Sequence, residues 1–237
     1  MTNASSSPTS LEVSISDIHG TIVASIQAGC QFTEALRGHL HQFHRSPWHV
    51  DHLVQNLENV VADMYRSGSP RSDMLLTLIQ FNVFRALVQN TFVSGFGFNW
   101  LEGEAISHFN TTSRFWTCPP ALQPTKLQCI VEHHPWIDIL PFPELRDNIL
   151  LQGEDYDDSP LCWDLVELCH VPSGRNGLIV WGEAWDPAGW EVTEKFAQKW
   201  SWLLRGCEGL LRSTNKWRRE RGEEEIYFDV RPVEELE

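Results

Sequence analysis

The chain has 237 residues, 42% of them hydrophobic, and a formal net charge of −14. This length and composition are typical of a folded globular protein and exclude general disorder. The negative charge repels phosphate backbones, so direct nucleic-acid binding is not expected without a strongly basic patch. The densest basic stretch, residues 212–221, directly precedes three glutamates. It is interpreted as the cationic end of a helix.

Cysteine usage and hydropathy predict an intracellular protein, in the nucleus or the cytoplasm. The six cysteines form no C-x-x-C pair, and no apolar run reaches the length of a membrane span. Residues 1–11 are rich in Ser and Thr, lack the features of a secretory signal and are expected to be a disordered leader. The glycosylation sequons at Asn3 and Asn110 are then incidental.

The first half of the chain predicts three helices. Apolar residues recur at helical spacing from Ile15 to Cys30, and again from Val50 to Met64 after a Ser46-Pro47 start signal. The segment 74–93 is apolar nearly all round, which predicts a helix at the centre of the fold. Its arginine and amides would need buried partners, either neighbouring backbone or a ligand.

The second half carries more breaks. A short helix is expected at 124–132, then a proline-punctuated stretch, 134–143, that wraps the surface of the core. Residues 178–181 predict a strand, for which 226–228 is the best candidate partner. A long helix is expected from the Asp186 cap to its limit at Gly222, with an unbroken apolar stripe over residues 196–211. These elements predict one mainly α domain over residues 12–237, with a small, short β element.

Three ordered blocks carry a resemblance to a known family. They are QFNVFRA at 80–86; PALQPTKLQ at 120–128 with HHPWIDILPFPELRDN at 133–148; and GLIVWGEAWDPAGWE at 177–191 with TNKWR at 214–218. Over residues 70–225 the chain resembles the domain of unknown function that follows the zipper in many fungal bZIP transcription factors. The resemblance implies a regulatory role, and it brings no catalytic residues with it.

The sequence departs from the common architecture of that family, because no segment of it combines a basic region with sustained leucine heptads. The resemblance therefore does not imply DNA binding. Several residues of the blocks are candidates for a pocket or functional surface: Arg85, His133, His134, Asp138, Arg146, Trp181, Glu183, Trp185 and Trp190. Buried ion pairs, Arg146 with Asp147 or Glu183 with Arg218, are the architectural alternative.

Two other clusters, one of histidines and one of acidic residues, contain side chains that can bind a metal ion. Histidines at positions 39, 41, 44, 49 and 52 include pairs three residues apart, which can share one helical face. The acidic residues of 154–158, with Asp164, supply oxygen ligands but do not match a calcium loop. Solvated surface side chains are the commoner explanation of both clusters, so no metal site is predicted, and the sequence identifies no cofactor. Motifs of nucleotide-binding and serine-hydrolase sites are absent.

Two functions remain open at this point. The first is a regulatory interaction module that acts through a protein partner or by sensing a small molecule. The second is a small-molecule isomerase, cyclase or hydrolase of fungal secondary metabolism with an aromatic-lined pocket. A closed cavity lined by tryptophans, with His133 or His134, Asp138 and Arg85 pointing inward, would favour the enzyme or a small-molecule sensor. The same side chains held in hydrogen bonds or ion pairs would favour the first.

Overall fold

The computed structural model describes residues 15–28, 35–36, 47–66, 72–98, 105–110, 118–153, 156–157, 159–166 and 177–231. The expected leader, the histidines at 39, 41 and 44, and most of the acidic stretch 154–158 lie outside these residues. Within them, the chain is mainly α-helical with one small antiparallel sheet. The predicted fold class is therefore confirmed.

Three helices form the first part of the described chain: α1 (Ile15–Gln27), α2 (Pro47–Arg66) and α3 (Ser72–Ser94). The apolar spacing that predicts α1 and α2 is also the spacing of their buried side chains, from Ile18 to Ile26 in one and from Val50 to Leu57 in the other. Helix α3 packs against α2 and against the sheet. It carries buried side chains on most of its surface, as a central helix does, although Phe92 and Val93 are exposed.

The proline-rich stretch contributes to the core instead of wrapping its surface. Residues 135–142 are all buried, and helix α4 (Pro143–Leu150) follows directly. The expected short helix at 124–132 is a series of turns, because the Thr125 and Gln128 side chains bond the backbone or neighbouring side chains there. Helix α5 (Ser159–Val166) follows and contacts α3.

The sheet corrects two expectations. Strand β1 (Leu178–Val180) pairs antiparallel with β2 (Trp190–Val192), with Ile179 opposite Glu191, and not with residues 226–228. The expected long helix from the Asp186 cap to Gly222 is divided. A 3₁₀ turn at Pro187–Gly189 and strand β2 come first, then helix α6 (Glu194–Lys199), a second 3₁₀ turn (Ser201–Leu204) and helix α7 (Glu208–Glu220).

Local chemistry explains these breaks. Asp186 caps only the short 3₁₀ turn, through the backbone N–H of Ala188, and Thr193 caps α6 through the N–H of Phe196. Gly206 has φ +76° just before α7, a left-handed conformation that ends regular helix. Helix α7 then packs along β2, where the Thr214 hydroxyl accepts a hydrogen bond from the backbone N–H of Val192.

Candidate functional site

A buried polar network surrounds Asp138. Its carboxylate accepts hydrogen bonds from Ser107 Oγ at 2.6 Å and Gln128 Nε2 at 2.7 Å, and its Oδ1 lies 2.7 Å from His133 Nε2. The other ring nitrogen of His133 lies 2.7 Å from the carbonyl oxygen of Val131. All four side chains are buried. Each polar atom that His133 and Asp138 present to the network thus has a partner.

This network does not have the geometry of a serine-hydrolase triad. A serine hydrolase places the histidine between the hydroxyl and the carboxylate, so that the imidazole removes the hydroxyl proton. Here the carboxylate lies between the serine and the histidine, and the Ser107 hydroxyl donates a hydrogen bond to Asp138. Both imidazole nitrogens face acceptors inside the protein. The network therefore joins residues 107–110 to the proline-rich stretch.

Asn110 strengthens the same junction. Its side-chain nitrogen donates to the carbonyl oxygens of Gln128 and Val131, at 3.0 and 2.7 Å. That nitrogen is the atom to which N-glycosylation would attach a sugar. Its engagement in the folded chain agrees with an incidental sequon.

His134 and Arg85 have polar partners of their own. His134 Nδ1 accepts a weak hydrogen bond of 3.3 Å from the backbone N–H of Trp136. Arg85, on α3, forms an ion pair with Glu58 of α2 at 3.2 Å. The candidate pocket residues thus occupy separate hydrogen-bonded positions.

Arg146 is fully buried on α4, and it anchors the backbone of the preceding segment. Its Nη2 donates to the carbonyl oxygens of Ala121 and Gln123, at 3.1 and 2.9 Å, whereas its Nε and Nη1 have no hydrogen-bond partner among the residues that the structure describes. Burial lowers the pKa of Arg146 to about 10, partly opposed by the charges of Asp138 and Asp147. The expected ion pair with Asp147 is not formed, since Asp147 accepts a hydrogen bond from the Thr125 hydroxyl.

The third sequence block folds into a tight connection between β1 and β2, residues 181–190, which we call the tryptophan turn. Gly182 and Gly189 pass so closely that a Cβ on Gly189 would lie 2.9–3.0 Å from backbone atoms of Gly182 and Glu183. The carbonyl oxygen of Ala184 accepts two hydrogen bonds of 2.9 Å, from Asn90 Nδ2 and from the ring N–H of Trp190. Trp190 is completely buried, so the turn is attached to the core at its centre.

Trp181 is held at the edge of the turn by a second set of contacts. Its ring N–H donates to the buried carboxylate of Glu191 at 2.7 Å, and Arg221 bonds both oxygens of that carboxylate at 2.7 and 2.8 Å. The Arg221 guanidinium lies 4.9 Å from the centre of the Trp181 ring. Hydrogen bonds to Glu191 and Glu223 raise the pKa of Arg221. The expected Glu183–Arg218 pair is not formed, because Arg218 pairs with Glu223.

A third indole packs against Trp181. Trp217 of α7 stacks on Trp181 with ring centres 5.9 Å apart and planes 29° apart, and its ring N–H donates to the carbonyl oxygen of Ala188. Trp185 has no ring contact and no hydrogen bond in the described part of the chain. Trp181 and Trp185 remain 43% and 40% exposed. We call Trp181, Trp185 and Trp217 the tryptophan surface.

Neither the histidines at 39–52 nor the acidic residues at 154–158 and 164 form a metal-ligand set within the part of the chain that the structure describes. Among the described residues, no group of three or more His, Cys, Asp or Glu side chains could hold a metal ion. Asp164 accepts hydrogen bonds from Lys199 and from the ring N–H of Trp200, and His52 is exposed. None of the helices in this part of the structure has the length and apolar character needed to cross a membrane.

Sequence reasoning identified the tryptophans and the need of Asn90 for buried partners, but it missed Glu191 and Arg221, which position Trp181. The Arg221–Glu191 contact spans 30 positions of the chain, and Asn90 bonds Ala184 across 94. The Trp181–Glu191 contact across the turn and the Arg221–Glu223 contact are local. The one sequence signal for the Glu191–Arg221 pair was the acidic Glu191 itself, which lies between the apolar residues Trp190 and Val192. A carboxylate buried in such a run requires a partner.

Comparison with known proteins finds a family model that matches residues 106–211, fewer than half of the chain. No curated protein and no solved structure matches the chain. The matched region lies inside the 70–225 span of the sequence resemblance and includes the Asp138 network and the tryptophan turn. The matching model is that of a domain of unknown function, DUF3425.

Proposed function

We propose that this chain is a regulatory interaction module that binds a protein partner through the tryptophan surface. The observation that carries the proposal is the 40% and 43% exposure of two indoles on a turn attached to the core. The chain would act inside the cell as a relative of the domain that follows the zipper in fungal bZIP regulators, without contacting DNA itself.

Rigid exposed tryptophans are suited to protein recognition. Tryptophan is enriched among the residues that dominate binding energy, because it buries a large area and has few rotatable bonds to order. The ring of Trp181 is already oriented by Glu191, Arg221 and Trp217. The backbone next to Trp185 is held by the two hydrogen bonds to Ala184. Binding would therefore cost little conformational entropy at these positions.

The positions of His133, Asp138 and Arg85 support an interaction module over an enzyme. His133 and Asp138 are buried in a network that uses their polar atoms, and Arg85 pairs with Glu58. The indoles of Trp181 and Trp185 instead face the surface, where a partner can cover them.

Site-specific photocrosslinking tests the proposal. A photoreactive phenylalanine analogue replaces Trp185 in the full chain, expressed in its native host. We expect a discrete crosslinked protein that disappears when Trp181→Ala is added. The matched control carries the same analogue at Ile130, which is also exposed but lies outside the tryptophan surface. Identical adducts at both positions, or none at 185, would refute the proposal, and a bZIP regulator among the adducts would support the family-derived role.

A further inference from the structure

A groove runs between helix α6 and the segment that follows helix α7. One wall carries Glu194, Ala197, Gln198 and Ser201, which recur at helical spacing along one face. The other wall is formed by residues 225–228, and the groove has a volume of about 460 Å³. This volume lies within the range of known ligand sites, roughly 300–1,000 Å³.

The segment 225–228 has the geometry of a strand with one open edge. The Asn215 side chain bonds both the N–H and the C=O of Ile226, each at 2.9 Å. One amide group can bond both only if the N–H and the C=O of Ile226 point to the same side of the chain. This is the case in an extended backbone, where the N–H and C=O groups of the adjacent residues point to the opposite side. The backbone N–H and C=O groups of Glu225 and Tyr227 make no hydrogen bond in the described chain.

The side chains of the groove favour a cationic occupant. The lining contains two carboxylates, Glu194 and Glu225, and no basic residue. Glu225 pairs with Arg219, but Glu194 makes only a hydrogen bond with Gln198 among the described residues. Tyr227 is 79% exposed and offers an aromatic face. A lysine or arginine would pack its aliphatic stem on that ring and place its charge by the carboxylate.

We propose that an extended segment of a protein partner, carrying lysine or arginine at alternate positions, adds as a β-strand along residues 225–228. Its backbone bonds the open groups of Glu225 and Tyr227, and one of its basic side chains reaches Glu194. Strand addition of this kind draws affinity from main-chain hydrogen bonds and specificity from side-chain pockets. The groove is distinct in its residues from the tryptophan surface, so this inference does not depend on the function proposed above.

Nuclear magnetic resonance on the full ¹⁵N-labelled chain tests the strand addition. The probe is the acetylated, amidated peptide Val-Lys-Val-Lys-Val. We expect saturable shift changes and slower hydrogen exchange at the amides of Glu225 and Tyr227, with no added protection at Ile226. A peptide with glutamate in place of lysine, and one N-methylated at the residues that face the chain, should not produce them.

Two variants separate strand addition from general charge attraction. Glu194→Gln should weaken the lysine peptide about fivefold, the factor that corresponds to an ion pair of about 1 kcal/mol. The control Glu220→Gln removes an exposed carboxylate outside the groove and should leave the affinity unchanged. Equal losses in both variants, equal binding of the N-methylated peptide, or no change at residues 225–228 at millimolar peptide would overturn the proposal.

Discussion

Asp138 shows how much of this core depends on single polar atoms. Its carboxylate accepts hydrogen bonds from a serine and a glutamine and contacts a histidine, all of them buried. In Asp138→Asn an NH₂ group replaces one of the two acceptor oxygens. A hydrogen-bond donor then faces the donors that the oxygen had accepted from. We expect the free energy of unfolding to fall by about 2–4 kcal/mol, measured by urea denaturation.

The matched control for this substitution is Asp63→Asn, which removes an exposed ion pair with Arg66. It should change the same free energy by no more than about 0.5 kcal/mol. If the two variants were equally stable, the Asp138 network would not be formed in solution.

Cys207 makes stability depend on alkaline pH. Burial raises the pKa of its thiol well above the ordinary 9.0. Above pH 9 the unfolded chain therefore releases this proton while the folded chain keeps it, and the stability of the fold decreases as pH rises. From pH 8 to pH 10 the contribution amounts to a loss of about 1.4 kcal/mol.

Comparing Cys207→Ala with the parent chain in urea at several pH values isolates this loss. The difference in unfolding free energy between them should shrink by about that amount toward pH 10. Arg146 has the opposite sign, because burial lowers its pKa to about 10, but it is present in both chains and cancels. Cys129→Ala, at an exposed cysteine, should show no such trend. A pH-independent difference for Cys207→Ala would contradict its burial as a thiol.

At the scale of elements, the tryptophan turn depends on the close approach of Gly182 and Gly189. A methyl group at Gly189 would overlap backbone atoms, which cannot move independently of the turn. We expect Gly189→Ala to destabilise the chain by about 1–3 kcal/mol and to increase the solvent exposure of Trp190, measured by thermal unfolding and acrylamide quenching.

Gly209 provides the comparison for that prediction, because it lies in the first turn of α7 with open space where a Cβ would be placed. Gly209→Ala should be neutral or stabilising by up to about 1 kcal/mol, since alanine is the better helix former. A turn that tolerates alanine at 189 as well as α7 does at 209 would not have the backbone crossing described above.

The elements also show where sequence patterns suffice. Helices α1 to α3 follow from apolar spacing and a Pro47 start, because each buries a face that the local sequence defines. The stretch from Asp186 to Leu211 has the same apolar spacing but is divided by Thr193 and Gly206, whose effects depend on caps and backbone angles. Ile226 resembles a strand residue in sequence, yet its hydrogen-bonding partner is the side chain of Asn215.

The candidate site was predictable to the same limited degree. Exposed and buried tryptophans cannot be distinguished by residue type, and Trp190 belongs to the core while Trp185 belongs to the surface. The contacts of Asn90 and Arg221 depend on tertiary packing that no local pattern encodes.

For the whole molecule, the family match and the packing have different limits. The match ends at residue 211. Thr214, three residues beyond that limit, bonds strand β2, and Asn215, four residues beyond it, bonds Ile226. Asn90, before the start of the match, bonds the carbonyl oxygens of Ile139 and Ala184. We therefore propose that α3 and α7 belong to the same folding unit as the matched region.

Truncation tests this proposal. A chain ending at residue 211 should lose cooperative unfolding, whereas one ending at residue 231 should keep the midpoint of the full chain, measured by circular dichroism during heating. Cooperative unfolding of the shorter chain at the same midpoint would show that α7 is dispensable.

The stacked rings of Trp181 and Trp217 also have an optical consequence. Two indoles whose ring centres lie 5.9 Å apart couple their electronic transitions, and because their planes are twisted by 29° we expect a paired positive and negative band in circular dichroism. One ring lies at the end of β1 and the other on α7, so the couplet is present only while the helix is docked on the sheet. The chain therefore contains its own spectroscopic reporter of that docking, which a partner covering the tryptophan surface would perturb without any added label.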